Sequence, residues 1–180
     1  MIINLGGRGS GAGVMALHAA TGKTLWQRTV LKAPLEKKHR LNSHASSTPA
    51  TDGEHLYVFF GKTGVLKFDL NGNQLWQTFV GDKLNGWGCG TSPVLYKERI
   101  FSVTKNGTFF VRDARTGDVE KRKRLPWGNY QPSLVAGDGK VYVMNEEGLT
   151  VVFGVDEEGV KQLARNQLPG GSGASPAIAS

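Results

Sequence analysis

The chain has 180 residues, a formal net charge of +7, 25 glycines and a single cysteine. Its length fits one domain, its 39% hydrophobic share can bury a core, and glycine without a collagen period points to a turn-rich fold rather than disorder. Lone Cys89 excludes an intramolecular disulfide and a cysteine-built zinc cluster, and no apolar run approaches the ~20 residues of a membrane-spanning helix.

Met1 to Leu5 is apolar but has no basic region, long apolar core or cleavage site, so it is not read as a signal peptide. Met1 to Leu5, Val14 to Leu17 and Thr24 to Val30 read as the second, third and fourth strands of a unit whose first strand is missing. Gly6 to Gly13 is expected as a flexible hairpin loop. Its Gly-x-Gly pairs lead into another strand, not the helix that a phosphate cradle needs. Leu31 to Ser43 is a long loop carrying Lys37-Lys38-His39-Arg40. From Ser46 to Val80 four short apolar segments alternate with turns: Leu56, Val58 and Phe60 interleave with Tyr57 and Phe59, and Leu66, Phe68 and Leu70 with Lys67 and Asp69. Period-two alternation bounded by Asp-Gly and Asn-Gly marks strands and hairpins. Two further units follow, opening near Thr91 and Gln131. The chain ends on Ala174 to Ile178, which reads as the opening strand of another unit.

The unit repeats. Turn glycines Gly22, Gly72, Gly117 and Gly159 are spaced by 50, 45 and 42, and Pro49, Pro93, Pro132 and Pro176 by 44, 39 and 44. A four-stranded unit repeating every ~40–45 residues is the signature of a propeller blade, which buries its faces only against neighbouring blades. Leu56, Val58, Leu66, Phe68, Val94, Phe101, Val103, Val141, Val143 and Val151 are the expected core, and Gly22, Gly72 and Gly117 are expected at positive φ.

Ala16-Leu17-His18-Ala19-Ala20-Thr21-Gly22-Lys23-Thr24-Leu25-Trp26 resembles the PQQ-like, or quinoprotein-type, propeller repeat, Ala-x-Asp-x-x-Thr-Gly-x-x-x-Trp, with His18 in place of the usual Asp. Leu66 to Trp76 matches with one residue fewer in the turn. The resemblance covers nearly the whole chain and implies an all-β propeller of four-stranded antiparallel blades. It also implies that Trp26 and Trp76 dock against neighbouring blades. Four residues after the later turn glycines stand Lys121 and Leu163, so ordinary aliphatic packing is expected there. The expected organisation is one propeller region over 1–180: a partial blade (1–30), blades at 44–80, 91–124 and 131–166, and the first strand of the next blade at 174–180. Such repeats usually build seven or eight blades, so about four blades' worth implies an open fragment of a larger ring. The rival reading is a four-bladed ring closed by the last strand.

In propellers of this kind the loops entering the first strands gather at the mouth of the central channel. Here they carry His39, Asn42, Ser43 and His44, then Asn85 and Trp87, then Trp127, Asn129 and Tyr130, then Ser172. Concave surface with a few polar groups suits a ligand or a protein partner. The plainer reading has Trp127 and Tyr130 filling space between blades. His39 and His44 lie on a loop with no ligand-forming spacing, so no metal is expected. Lys121-Arg122-Lys123-Arg124 reads as a charged edge strand, and the aromatics that single-stranded nucleic acid stacks on are missing, so no specific nucleic-acid partner is expected.

By resemblance, quinoprotein dehydrogenases hold pyrroloquinoline quinone with calcium under a vicinal disulfide, which one cysteine excludes. Asp52, Asp69, Asp113 and Asp138 fall in turns rather than on channel strands. The resemblance therefore points to the non-enzymatic BamB-like propellers and related exported propellers. The expected function is a binding or scaffold module without catalytic residues or cofactor, periplasmic or extracytoplasmic by resemblance, with the remaining blades of a larger ring as neighbours. A fragment of a PQQ-dependent dehydrogenase is the alternative.

Overall fold

A computed structural model describes residues 1–8, 11–30, 46–60, 63–79 and 91–179. The chain divides into two compact units, Met1–Cys89 and Gly90–Ser180. In the first, β1 (Ile2–Arg8), β2 (Gly11–Leu17) and β3 (Thr24–Thr29) form a three-stranded antiparallel sheet, and β4 (Ala50–Thr51), β5 (His55–Phe59), β6 (Val65–Asp69) and β7 (Gln74–Thr78) a four-stranded one. In the second, β8 (Val94–Tyr96), β9 (Arg99–Val103), β10 (Thr108–Asp113) and β11 (Val119–Arg124) form one four-stranded sheet. The other comprises β12 (Val135–Gly137), β13 (Lys140–Met144), β14 (Leu149–Asp156) and β15 (Gly159–Gln167). Each sheet is a meander of sequential antiparallel neighbours, and the first lacks an opening strand.

Sheets pack face to face within each unit. In the first unit Val14 meets Leu56, Val58, Phe60, Leu66 and Phe68. In the second, Phe101, Val103, Phe109 and Val111 meet Val141, Val143, Val151 and Phe153, with the Phe109 and Phe153 rings stacked at 4.4 Å. The expected core residues are buried except Val94, which packs half-buried against the rim. Arg112 is also fully buried, its guanidinium 4.4 Å over the Phe110 ring and donating to Ser102 Oγ at 3.1 Å. Burial holds its pKa down to about 10.

Three expectations change. The glycine-rich stretch is not a loop: β1 and β2 run through it, pairing Gly6 with Gly13, Gly7 with Ala12 and Arg8 with Gly11. A Cβ on Gly13 would stand 2.5 Å from the Arg28 carbonyl oxygen, so a close backbone approach uses the missing side chain. The first strands are shorter than expected, since proline cannot donate to a ladder. Before β8, buried Thr91 instead sends its hydroxyl to Val103 O at 2.8 Å. Residues 174–179 form no strand.

The last strand of every described sheet carries a bulge. Ala16 faces Trp26 while Leu17 faces Thr24, leaving Leu25 extra, and the same shift leaves Leu75, Glu120 and Leu163 extra. All four are exposed. A bulge re-aims the residue after it, and those residues are Trp26, Trp76, Lys121 and Ala164. The position that sequence spacing gave to Leu163 thus belongs to Ala164.

The re-aimed residue clasps the next sheet. Trp26 Nε1 donates to Leu70 O at 2.8 Å, and Arg28 donates from Nε to Gly72 O at 2.8 Å and from Nη2 to Asn71 O at 3.3 Å. The indole lies against Gly72, whose φ is 81° and whose Cβ would come 2.7 Å from the ring. In the second unit, where aliphatic packing was expected, Lys121 Nζ donates to Val160 O and Lys123 Nζ to Gln162 Oε1 at 2.8 Å. The basic run is therefore divided: its two lysines clasp the next hairpin, while Arg122 and Arg124 lie exposed. Trp76 is half-buried with its ring 6.1 Å from Tyr57, and its Nε1 is buried with no acceptor among the described residues.

Gly22, Gly72 and Gly117 have positive φ, closing the third-to-fourth-strand turns. A Cβ at Gly22 would meet nothing within 4 Å, unlike one at Gly72. Gly22→Ala should cost about 1 kcal/mol and Gly72→Ala about 2 kcal/mol or more in urea unfolding, the difference reading the indole contact. Equal costs would mean that the clasp is not formed.

Candidate functional site: the loop entering the fourth sheet

Leu125 to Leu134 runs from β11 to β12. Its backbone is tied at three points: Leu125 N–H donates to Gly107 O at 2.8 Å, Tyr130 N–H to Lys105 O at 2.9 Å, and Glu146 N–H to Asn129 O at 2.8 Å. Tyr130 is the anchor. Its ring is fully buried in the core and its hydroxyl donates to Pro126 O at 3.0 Å. The ring covers Gly107, where φ is 80° and a Cβ would stand 2.6 Å from it. Burial, then the Glu147 carboxylate, push the Tyr130 hydroxyl up to about 12.

The anchored loop leaves Trp127 in solvent, 87% exposed. Gly128 crosses above the β13–β14 turn, where its missing Cβ would lie 2.3 Å from Asn145 Nδ2 and 2.7 Å from Glu147 Oε2. Asn145 is fully buried; its Oδ1 accepts from Leu149 N–H at 2.8 Å, while Nδ2 has no acceptor among the described residues. Gln131 Nε2 donates to Glu146 Oε1.

This arrangement recurs one repeat later. Ser172 N–H donates to Glu146 O at 2.9 Å, as Tyr130 does to Lys105, and Leu168 N–H donates to Gly148 O at 3.1 Å, as Leu125 does to Gly107. The inner segments are linked serine to serine. Ser92 N–H donates to Ser133 Oγ at 3.1 Å and Ser133 N–H to Ser175 Oγ at 2.9 Å. The equivalent residues are thus these serines, 41 and 42 apart, not the prolines. Pro93 and Pro176 follow their serine whereas Pro132 precedes it.

Of the sequence-derived site residues, His39, Asn42, Ser43, His44, Asn85 and Trp87 lie outside the described residues. Trp127 and Asn129 are exposed and adjoin one turn, whereas the Tyr130 side chain is buried in the core. Sequence reasoning passed over Asn145, Glu146 and Glu147, whose only signal was their place in a polar turn between two apolar strands.

The carboxylates in the other turns are occupied locally. Burial acts to raise the Asp52 pKa, but the Glu54 and His55 amides, the Tyr57 hydroxyl and the His55 ring together hold it well below the usual range. Asn73 and the Asn71 amide lower Asp69, and the Thr116 and Arg115 amides lower Asp113. Asp138 pairs with Lys140 at 2.7 Å. Among the described residues no three His, Cys, Asp or Glu side chains gather into a group that could hold a metal ion. An outer cleft of about 400 Å³ lies beside Arg99, Glu120, Glu158 and Lys161, whose charges already pair at 2.7 Å (Arg99–Glu120) and 2.6 Å (Lys161–Glu158).

Stacked four-stranded meanders with clasped outer strands define a β-propeller. The family model described as outer membrane protein assembly factor BamB matches residues 8–178, and the chain belongs to that family. A search of the curated proteins gave no match. Among solved structures the chain is similar to BamB from Moraxella catarrhalis, at 17% identity and a TM-score of 0.68, covering 93% of this chain and 52% of that one. It is also similar to the quinohemoprotein alcohol dehydrogenase from Comamonas testosteroni, at 13% identity and a TM-score of 0.61, covering 88% of this chain and 33% of that one. The computationally designed Ika4 protein matches at 14% identity and a TM-score of 0.58, covering 86% of this chain and 92% of that one. The chain spans about half the length of the BamB structure.

Because the folded pKa of Tyr130 is raised, its contribution to stability is complete below the unfolded value near 10 and is lost as pH rises through about 12. Tyr130→Phe should cost about 1 kcal/mol at pH 7 and show a shallower loss of stability than the parent between pH 10 and 12. Identical slopes would mean that the hydroxyl is not buried.

Proposed function

We propose that this chain is a non-catalytic propeller module that works outside the cytoplasm and binds a protein partner or small ligand on the loops entering its blades. The observation that carries the reading is Trp127. An indole 87% exposed, on a loop pinned by a wholly buried neighbour three residues on, is a poor use of a large aromatic unless something covers it. Tryptophans are enriched at the centres of protein interfaces, and rigid presentation lowers the entropy cost of binding. Membership of the BamB family supports a protein as the partner and an extracytoplasmic setting.

The second reading, part of a quinone-dependent dehydrogenase, is favoured by the likeness to quinohemoprotein alcohol dehydrogenase, which at 13% identity concerns the fold alone. The two separate in one experiment. The purified chain, titrated with pyrroloquinoline quinone and calcium and assayed with an artificial electron acceptor and a primary alcohol, should show neither saturable quinone binding nor dye reduction. Quinone-dependent turnover would overturn the non-catalytic reading.

A further inference from the structure

We infer that the Trp127 surface takes a cationic, arginine- or lysine-bearing extended segment of a protein partner. The inference rests on the reading of this loop as a binding surface. Its support is a juxtaposition of chemistry across two turns. The Glu147 carboxylate reaches the residue next to Trp127, since Oε2 would lie 2.7 Å from a Cβ on Gly128. Glu147 is exposed, and the Glu146 carboxylate, one residue before it, meets among the described residues the neutral amide of Gln131. An open indole face with carboxylates beside it attracts a guanidinium or ammonium group, through the ring quadrupole and through direct charge. Other carboxylates of this unit are paired with cations or hydrogen-bonded in turns: Glu120 with Arg99, Asp138 with Lys140, Glu158 with Lys161, Asp113 with the Arg115 and Thr116 amides, and Asp156 with the Gly159 amide. Arg124 and Arg165 also act on Tyr130 in this loop, so the attraction rests on the Glu147 carboxylate and the open indole rather than on net local charge.

A second observation lies directly beneath. Asn145 is fully buried, its Nδ2 donor has no acceptor among the described residues, and it is aimed at the Trp127–Gly128 segment at 2.3 Å from the missing Cβ. A buried donor left open calls for an explanation. Gly128 lies over this donor, so a turn of the Trp127–Gly128 peptide on binding, bringing its own carbonyl round, is what satisfies it. An extended peptide lies along the loop and can contact the Trp127–Gly128 backbone as well as the indole, which a bare small cation does not.

The test is a titration followed by NMR on the nitrogen-labelled chain, reading the Trp127 indole N–H signal assigned with Trp127→Phe. The probes are four: a glycine–serine peptide bearing arginines, matched peptides bearing glutamates or leucines, and tetramethylammonium chloride. The arginine peptide should shift the Trp127 signal saturably while the glutamate peptide does not. Glu147→Gln should weaken that binding about 5-fold with no change in melting temperature. The substitution leaves the Glu147 carbonyl free to accept from Gln167 as before. Equal response to arginine and glutamate peptides, or an arginine titration unmoved by Glu147→Gln, would overturn the inference. A response to the leucine peptide alone would keep the binding surface and remove the cationic partner. A response to tetramethylammonium as tight as to the arginine peptide would replace the segment with a small cation. No response to any probe would remove both the inference and the reading beneath it.

Discussion

The structure depends on one contact repeated at the outer rim: a donor from the fourth strand of one sheet reaching a carbonyl at the third-to-fourth-strand hairpin of the next. Sheets of this kind have two apolar faces and cannot stand alone. Face-to-face burial is not directional and would allow neighbouring sheets to slide. A hydrogen bond with a fixed donor position removes that freedom. Trp26 and Arg28 provide it on Leu70, Asn71 and Gly72, and Lys121 and Lys123 on Val160 and Gln162. An indole N–H and an ammonium are chemically unlike, yet both place one donor at the end of a long apolar stem. The bulge before each of them makes the reach possible, and it recurs in all four described sheets.

The inner side of the second unit is held differently. There the prolines of the first segments forfeit ladder hydrogen bonds, and short hydroxyls replace them: Thr91 on its own sheet, Ser133 and Ser175 between successive repeats. The loop above inherits its geometry from these ties. Tyr130 sinks into the core over Gly107 and Asn129 accepts from Glu146, so the intervening Trp127 and Gly128 have little choice of position. Rigidity from the clasp and exposure at the loop are thus two results of the same stacking, and they connect the fold to the proposed binding role.

Much of this was legible in the sequence. Glycine spacing gave the repeat, strand alternation gave the core, and the turn glycines gave their backbone conformation. The misreadings have physical causes. Aligning on prolines failed because a proline has no N–H to lose on either side of the serine that defines the register. The bulge hid Ala164 behind Leu163, since an extra residue in a strand leaves no mark in composition. Lys97 and Glu98 form the β8–β9 turn at φ 46° and 59°, where Asn-Gly would have announced it. Trp127 and Tyr130 are both aromatic and three apart, and only the glycine at 107 that receives the Tyr130 ring decides which of them is buried.

The clasp and the exposed indole can be read in one spectrum, by timing hydrogen exchange at the indole N–H groups of the folded chain. Trp26 Nε1–H, held at 2.8 Å by the Leu70 carbonyl, should exchange at least about tenfold more slowly than free indole. Trp127, 87% exposed, should exchange at the free rate. A Trp26 signal that exchanges as fast as that of Trp127 would contradict the account.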